Sequence, residues 1–149
     1  MRYLTLIVSL LLWASTCLAG QGMGPGPGMI ACGPKSYGFE SGTIAPWVTS
    51  ASAWSISSYY NHSGSNAALS VVDGGTLTLT TCTGSGSLSF FYYSPSSASG
   101  SWSVDGTTIG SFTGTGTWQG ASSGLSAGVH TIVFTDITGY LVLDDISTP

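Results

Sequence analysis

At 149 residues the chain is sized for a single domain, and two Lys or Arg against six Asp or Glu leave no basic patch for nucleic acid or an anionic membrane. Only 5% of the residues are charged while 11% are aromatic, a balance that excludes a disordered chain. It predicts a folded domain with a neutral surface of Ser, Thr, Gly and Asn, suited to a secreted protein that packs against something else.

The N-terminus reads as an export signal. Arg2 supplies a positive start, residues 4–13 form an apolar run too short for a comfortable membrane span, and small residues follow at Ala14, Ser15, Ala19 and Gly20. Residues 1–19 are therefore expected to be a cleaved signal peptide, leaving 149 − 19 = 130 residues outside the cell or on its surface. Lipidation at Cys17 is the weaker reading, because Thr16 is bulkier than the residue usually found there. Residues 20–36 begin GQGMGPGPG, which suits neither helix nor central strand, and are expected to be a flexible leader. The folded domain is expected over 37–149.

Cleavage would leave two cysteines, Cys32 and Cys82, most simply a disulfide in an oxidising compartment. Two Cys and two His at unrelated spacings do not make a zinc site.

From residue 37 onward the pattern is short alternating runs broken by Gly, Ser and Asp turns. Residues 54–56 and 69–71 alternate. Residues 76–81 (TLTLTT) put Leu77 and Leu79 on one face. Residues 87–94 (SLSFFYYS) put Leu88, Phe90 and Tyr92 on one face, with Phe91 and Tyr93 on the other. Residues 102–104 lead into Asp105-Gly106, a strong hairpin signal, and then to Ile109 and Phe112. Residues 129–135 and 140–146 close the chain. Eight or nine short strands at this spacing predict an all-β sandwich.

Three landmarks occur in order: Gly38-Phe39-Glu40-Ser41-Gly42 followed by Pro46-Trp47; the 62–70 segment HSGSNAALS; and LSAGVHTI at 125–132 followed by Leu143-Asp144-Asp145-Ile146. The set resembles MAM-like and carbohydrate-binding-module-like jelly rolls of bacterial extracellular surface proteins, over about 110 residues. The resemblance implies a jelly roll that binds or adheres, with a structural Ca²⁺. It also implies that Glu40, Asp144 and Asp145 come together, since first and last strands meet in such folds. The 61–64 loop, with Asn61 and Ser63, would add oxygen ligands. Unlike many such modules, this copy is expected to stand alone, without a sorting tail or a catalytic partner.

Tyr59 and Tyr60, beside a predicted loop, are candidate ligand contacts, and Tyr92-Tyr93 form a second pair. Trp54 and Trp102 are expected in the core. Catalysis is not expected. His62 and His130 are the only bases near neutrality, His130 reads as structural, and there is no Gly-x-Ser-x-Gly elbow. Alternation along a strand should also send Asp144 and Asp145 to opposite faces, which excludes a glycosidase pair.

Two functions follow. The first is a structural or adhesive extracellular protein, self-assembling through the leader (residues 29–31 its apolar patch) and an exposed sheet edge. The alternative is a carbohydrate-binding protein whose partner is a polysaccharide.

Overall fold

The computed structural model describes residues 32–149; the signal, the Cys17 reading and all but the last residues of the leader lie outside them. The chain forms β1 (Lys35–Tyr37), β2 (Val48–Thr49), β3 (Trp54–Ser57), β4 (Ala67–Ser70), β5 (Thr76–Thr83), β6 (Gly86–Tyr93), β7 (Ser99–Val104), β8 (Thr107–Thr113), β9 (Gln119–Leu125), β10 (Gly128–Thr138) and β11 (Leu141–Thr148). One sheet runs β3-β4-β11-β6-β9, with β1 also paired to β11; the other runs β2-β5-β10-β7-β8. All of these pairings are antiparallel. The protein is an all-β, jelly-roll type sandwich.

The two sheets meet through the alternating apolar residues that the sequence marks. Leu77, Leu79, Ile132, Phe134, Trp102 and Phe112 come from one sheet; Trp54, Leu88, Phe90, Leu141, Leu143 and Ile146 come from the other. Phe90 sits at the centre, edge-on to Trp102, Phe112 and Phe134 at centroid distances of 5.2, 5.9 and 4.9 Å. Such edge-to-face pairs add about 0.5–1.5 kcal/mol each beyond burial. Trp54 and Trp102 lie in the core, as expected. The β7–β8 hairpin turns at Asp105 and Gly106, both with positive φ, at 51° and 77°. That conformation matches the twist of the flanking strands.

Cys32 and Cys82 are disulfide-bonded. The bond and β1 fasten the 32–37 segment to both sheets: Tyr37 pairs with Ile146, and Lys35 Nζ donates to Thr81 Oγ1 at 2.9 Å and Cys82 O at 3.2 Å.

Three strands carry little sequence signal. β1 and β2 are only three and two residues long. β9 (QGASSGL) has one buried hydrophobic, Leu125, and takes its strand form from seven register pairs with β6.

A β-bulge in β11 positions the acids. Asp144 pairs with Phe91 and Ser147 with Ser89, so β11 spends one residue more than β6 over this interval. Asp145 takes up the extra residue in left-handed conformation, φ 49°. Strict alternation would have sent Asp145 inward beside Leu141 and Leu143. The bulge turns it out and returns Ile146, fully buried, to the core.

Candidate binding surface

The outer face of the six-stranded sheet carries two connected groups of side chains, one aromatic and one acidic. The β3–β4 loop links them.

Phe91 and Tyr93 project from β6 on the face opposite Phe90. Tyr92 instead faces inward, 4.7 Å from Phe112, so the Tyr92-Tyr93 pair is split between core and surface. Around Phe91 and Tyr93 gather Tyr59, Tyr60 and His62 from the β3–β4 loop, Trp118 just before β9, and Tyr140 just before β11. Tyr60 stacks on Tyr93 at 5.4 Å and meets Tyr59 edge-on at 4.8 Å. Tyr140 lies 5.5 Å from Tyr60 and 6.2 Å from Tyr93. Trp118 lies 5.9 Å from Tyr93 and 5.3 Å from His62. Tyr59 is 82% exposed, which makes it the outermost ring. Gly120 lies opposite Phe91, where even a Cβ would make only ordinary contact with the ring, at 3.4 Å. Beneath the patch Val142, register partner of Tyr93, is fully buried although it lies outside the sandwich core.

The tyrosine hydroxyls are tied to one another. Tyr140 donates to Tyr60 at 3.1 Å. That bond, together with partial burial, holds the Tyr140 phenol above its ordinary range, so it is neutral at physiological pH. The surface thus offers ring faces and phenolic hydroxyls.

The acidic group lies alongside. The structure brings Glu40, Asp144 and Asp145 to one loop, as the resemblance implies. The Glu40 carboxylate accepts from Ser65 N at 2.9 Å and Asn66 N at 3.1 Å. Buried Asp144 accepts through Oδ2 from His62 N at 2.9 Å and Ser63 N at 3.1 Å, and through Oδ1 from Asp145 N at 2.8 Å. Asp145 takes Ser63 Oγ at 2.7 Å and His62 Nδ1 at 2.8 Å. Burial pushes the Asp144 carboxyl up, against the backbone N–H groups of Ser63, Asp145 and His62, which pull it down.

Two expectations change here. Asp144 and Asp145 do not diverge: the bulge lets both carboxylates reach Ser63. The loop also meets the acids with N–H groups where oxygen ligands were expected, and the Asn61 side chain donates inward to Gly64 O at 2.7 Å. Among the described residues, no three of His, Cys, Asp and Glu are arranged to hold a metal ion by themselves.

His130 lies elsewhere. Its Nδ1 stands 2.7 Å from Asp105 Oδ2 and its Nε2 3.0 Å from Ser126 O. Both neighbours are acceptors, an arrangement that favours the doubly protonated ring. The bond to Asp105 raises its pKa accordingly. Ser126 Oγ is 3.5 Å from Nε2, which lies closer to Ser126 O.

No protein-family model matches the chain, and no curated protein matches it in sequence. Solved structures share its fold. A family 61 carbohydrate-binding module in complex with β-1,4-galactotriose aligns with a TM-score of 0.59 at 18% identity, over 74% of this chain and 92% of that one. The xylan-binding CBM22-1 domain of Paenibacillus barcinonensis Xyn10C aligns at 0.59 and 12% identity, over 76% and 92%. The K1 cleaved adhesin domain of Lys-gingipain from Porphyromonas gingivalis W83 aligns at 0.63 and 18% identity, over 78% and 97%. The class that fold and comparisons define is the jelly-roll β-sandwich, a fold shared with carbohydrate-binding modules and adhesin domains.

Proposed function

We propose that the protein is a non-catalytic carbohydrate-binding protein, that it acts outside the cell, and that its ligand is a neutral polysaccharide. The observation that carries this is the aromatic patch formed by Tyr59, Tyr60, Phe91, Tyr93, Trp118 and Tyr140 with His62. Ring faces pack against the C–H faces of pyranose rings, while phenolic and backbone groups bond their hydroxyls; an uncharged sugar needs no ionic partner. Tyr59 and Tyr60 are ligand contacts in this reading, joined by Trp118 and Tyr93. That solved neighbours include a galactotriose complex and a xylan-binding domain supports the choice of ligand class.

This reading takes precedence over the structural or adhesive one. Self-assembly through the leader rests on residues outside the described part of the chain, whereas the aromatic patch is built from described side chains. Adhesion to a polysaccharide-coated surface would follow from the same patch.

A Ca²⁺ ion at the Glu40–Asp144–Asp145 cluster is a separate part of the proposal. Three carboxylates against one imidazole leave net negative charge, which a hard cation offsets by using oxygen lone pairs that the N–H groups leave free. The ion would brace the loop that carries Tyr59 and Tyr60.

Binding is tested by retention of the protein in native gels containing a dissolved β-linked galactan, xylan or glucan. Retardation by at least one, lost in Trp118→Ala, supports the reading; unretarded migration in all of them, with no pull-down on insoluble glycans, removes it.

A further inference from the structure

A different acidic position plays no part in that surface. Asp136 lies on the inward face of β10, two residues beyond Phe134, and is fully buried. Neither of its carboxylate oxygens has a hydrogen-bond partner. An uncompensated carboxylate is among the most costly groups a protein interior can hold.

The surroundings are oxygen-rich. Ser70, fully buried at the end of β4, stands beside Asp136: burial pushes the carboxyl up and the Ser70 hydroxyl pulls it down, yet no well-formed hydrogen bond joins the two. The β4–β5 turn is tied to the backbone here: Asp136 N donates to Gly75 O at 2.9 Å, and Gly74 N to Asp136 O at 2.6 Å. Asp73 of that turn accepts from Gly139 N at 3.0 Å, and its charge acts on Asp136. Gly75 lets the turn close down, since a Cβ there would stand 3.0 Å from Ser70 Oγ and 2.8 Å from Val72 O. A hydroxyl and two carboxylates therefore lie near one another between the β4–β5 and β10–β11 turns.

We propose that Asp136, Ser70 and Asp73, with carbonyl oxygens of the β4–β5 turn, form a site for one Ca²⁺ ion. Every donor is a hard oxygen, which favours Ca²⁺ and disfavours zinc or copper. Two carboxylates balance a divalent charge. The unpartnered oxygens of Asp136 and Ser70 are satisfied by the ion, which fastens the two turns to each other. The site shares no residue with the Glu40 cluster.

The test counts bound Ca²⁺ by equilibrium dialysis and measures thermal melts, in Ca²⁺ and in chelator, on the full chain and on Glu40→Gln, Asp136→Asn and the double variant. Glu40→Gln is expected to keep one ion and to melt several degrees higher in Ca²⁺, while the double variant binds none and melts alike in both. A Glu40→Gln protein that binds no Ca²⁺, or an Asp136→Asn protein that binds as many ions as the parent, overturns the proposal. So does a parent that ignores Ca²⁺ but gains stability as pH falls from 7 to 5 through Asp136, which would mean that a proton neutralises the carboxyl. Should Asp136→Asn not fold, Ser70→Ala takes its place: a several-fold weaker affinity in the Glu40→Gln background is expected, and unchanged affinity refutes the site.

Discussion

The imidazole of His62 lies face to face on the ring of Phe91, with centroids 3.7 Å apart and planes 11° apart. The same imidazole reaches Asp145 through Nδ1 at 2.8 Å. One residue therefore joins the aromatic patch to the acids that hold the β3–β4 loop. Because that loop also carries Tyr59 and Tyr60, the shape of the patch depends on how firmly Glu40, Asp144 and Asp145 grip it.

Truncating the patch should remove ligand affinity and leave the fold intact. Trp118 is half-buried and outside the core, so Trp118→Ala is expected to weaken polysaccharide binding by about tenfold or more, the scale of an interface hot spot. Tyr59→Ala should weaken binding less while leaving the melting temperature unchanged, since that ring is mostly exposed. Phe90→Ala is the contrasting variant: it empties the sandwich centre and should cost about 3–5 kcal/mol of stability. Affinity electrophoresis alongside thermal melts separates the two effects, and a Trp118→Ala protein with full affinity would place the ligand elsewhere.

Calcium at the Glu40 cluster should appear as stability. At a hundredfold excess over Kd an ion that binds only the folded state adds about 2.7 kcal/mol. Glu40→Gln is expected to reduce the Ca²⁺-dependent rise in melting temperature and to weaken polysaccharide binding with it, because the loop loses its brace. Equal Ca²⁺ responses in the parent and in Glu40→Gln would exclude an ion at this cluster.

The His130–Asp105 pair sets a pH dependence with a definite sign. The His130 pKa is raised, first by its bond to Asp105, so its stabilisation is complete below the unfolded value and disappears as pH rises through the higher folded value. The Asp105 pKa is lowered, first by Thr131 N and then by His130, so its contribution is present above the unfolded value and disappears as pH falls through the lower folded one. The pair should therefore contribute most between about pH 4 and 6.5, where the unfolded forms of both would be charged. Melts of the parent and of Asp105→Asn across pH 3.5–9 should differ most in that window and less above it, where the Thr131 N–Asp105 bond persists without the His130 charge. A constant difference would mean that the pair is not titrating as a unit.

Reducing the disulfide should loosen the N-terminal fastening. Cys32 and Cys82 are 50 residues apart, and in the chain-entropy model their bond contributes about 4 kcal/mol. A fall in melting temperature of about 12–20 °C on reduction is expected for a domain of this size. A much smaller change would show that β1 and the Lys35 contacts hold the segment without the bond.

Much of this architecture was legible in the sequence. The runs at 76–81, 87–94 and 129–135 alternate cleanly, and Asp105-Gly106 marks its hairpin, because side-chain alternation and turn chemistry are local properties of the chain. β9 was invisible for the converse reason: QGASSGL has no apolar period, and only β6 alongside makes it a strand. Tyr59 and Tyr60 were legible as loop aromatics because they adjoin a turn. Trp118 and Tyr140 were not, for each precedes a strand and nothing local tells which sheet face it will cover.

By itself the sequence determined the all-β class, the core faces, the Cys32–Cys82 pairing and the absence of a basic partner surface, since all of these follow from composition and short-range pattern. Only the tertiary structure decided where the outward residues meet. The single extra residue at Asp145 redirects a carboxylate that alternation would have buried. Strand order then brings residues 59–62, 91–93, 118 and 140 onto one face. Both depend on register between segments distant in sequence, and register is set by packing across the whole sandwich.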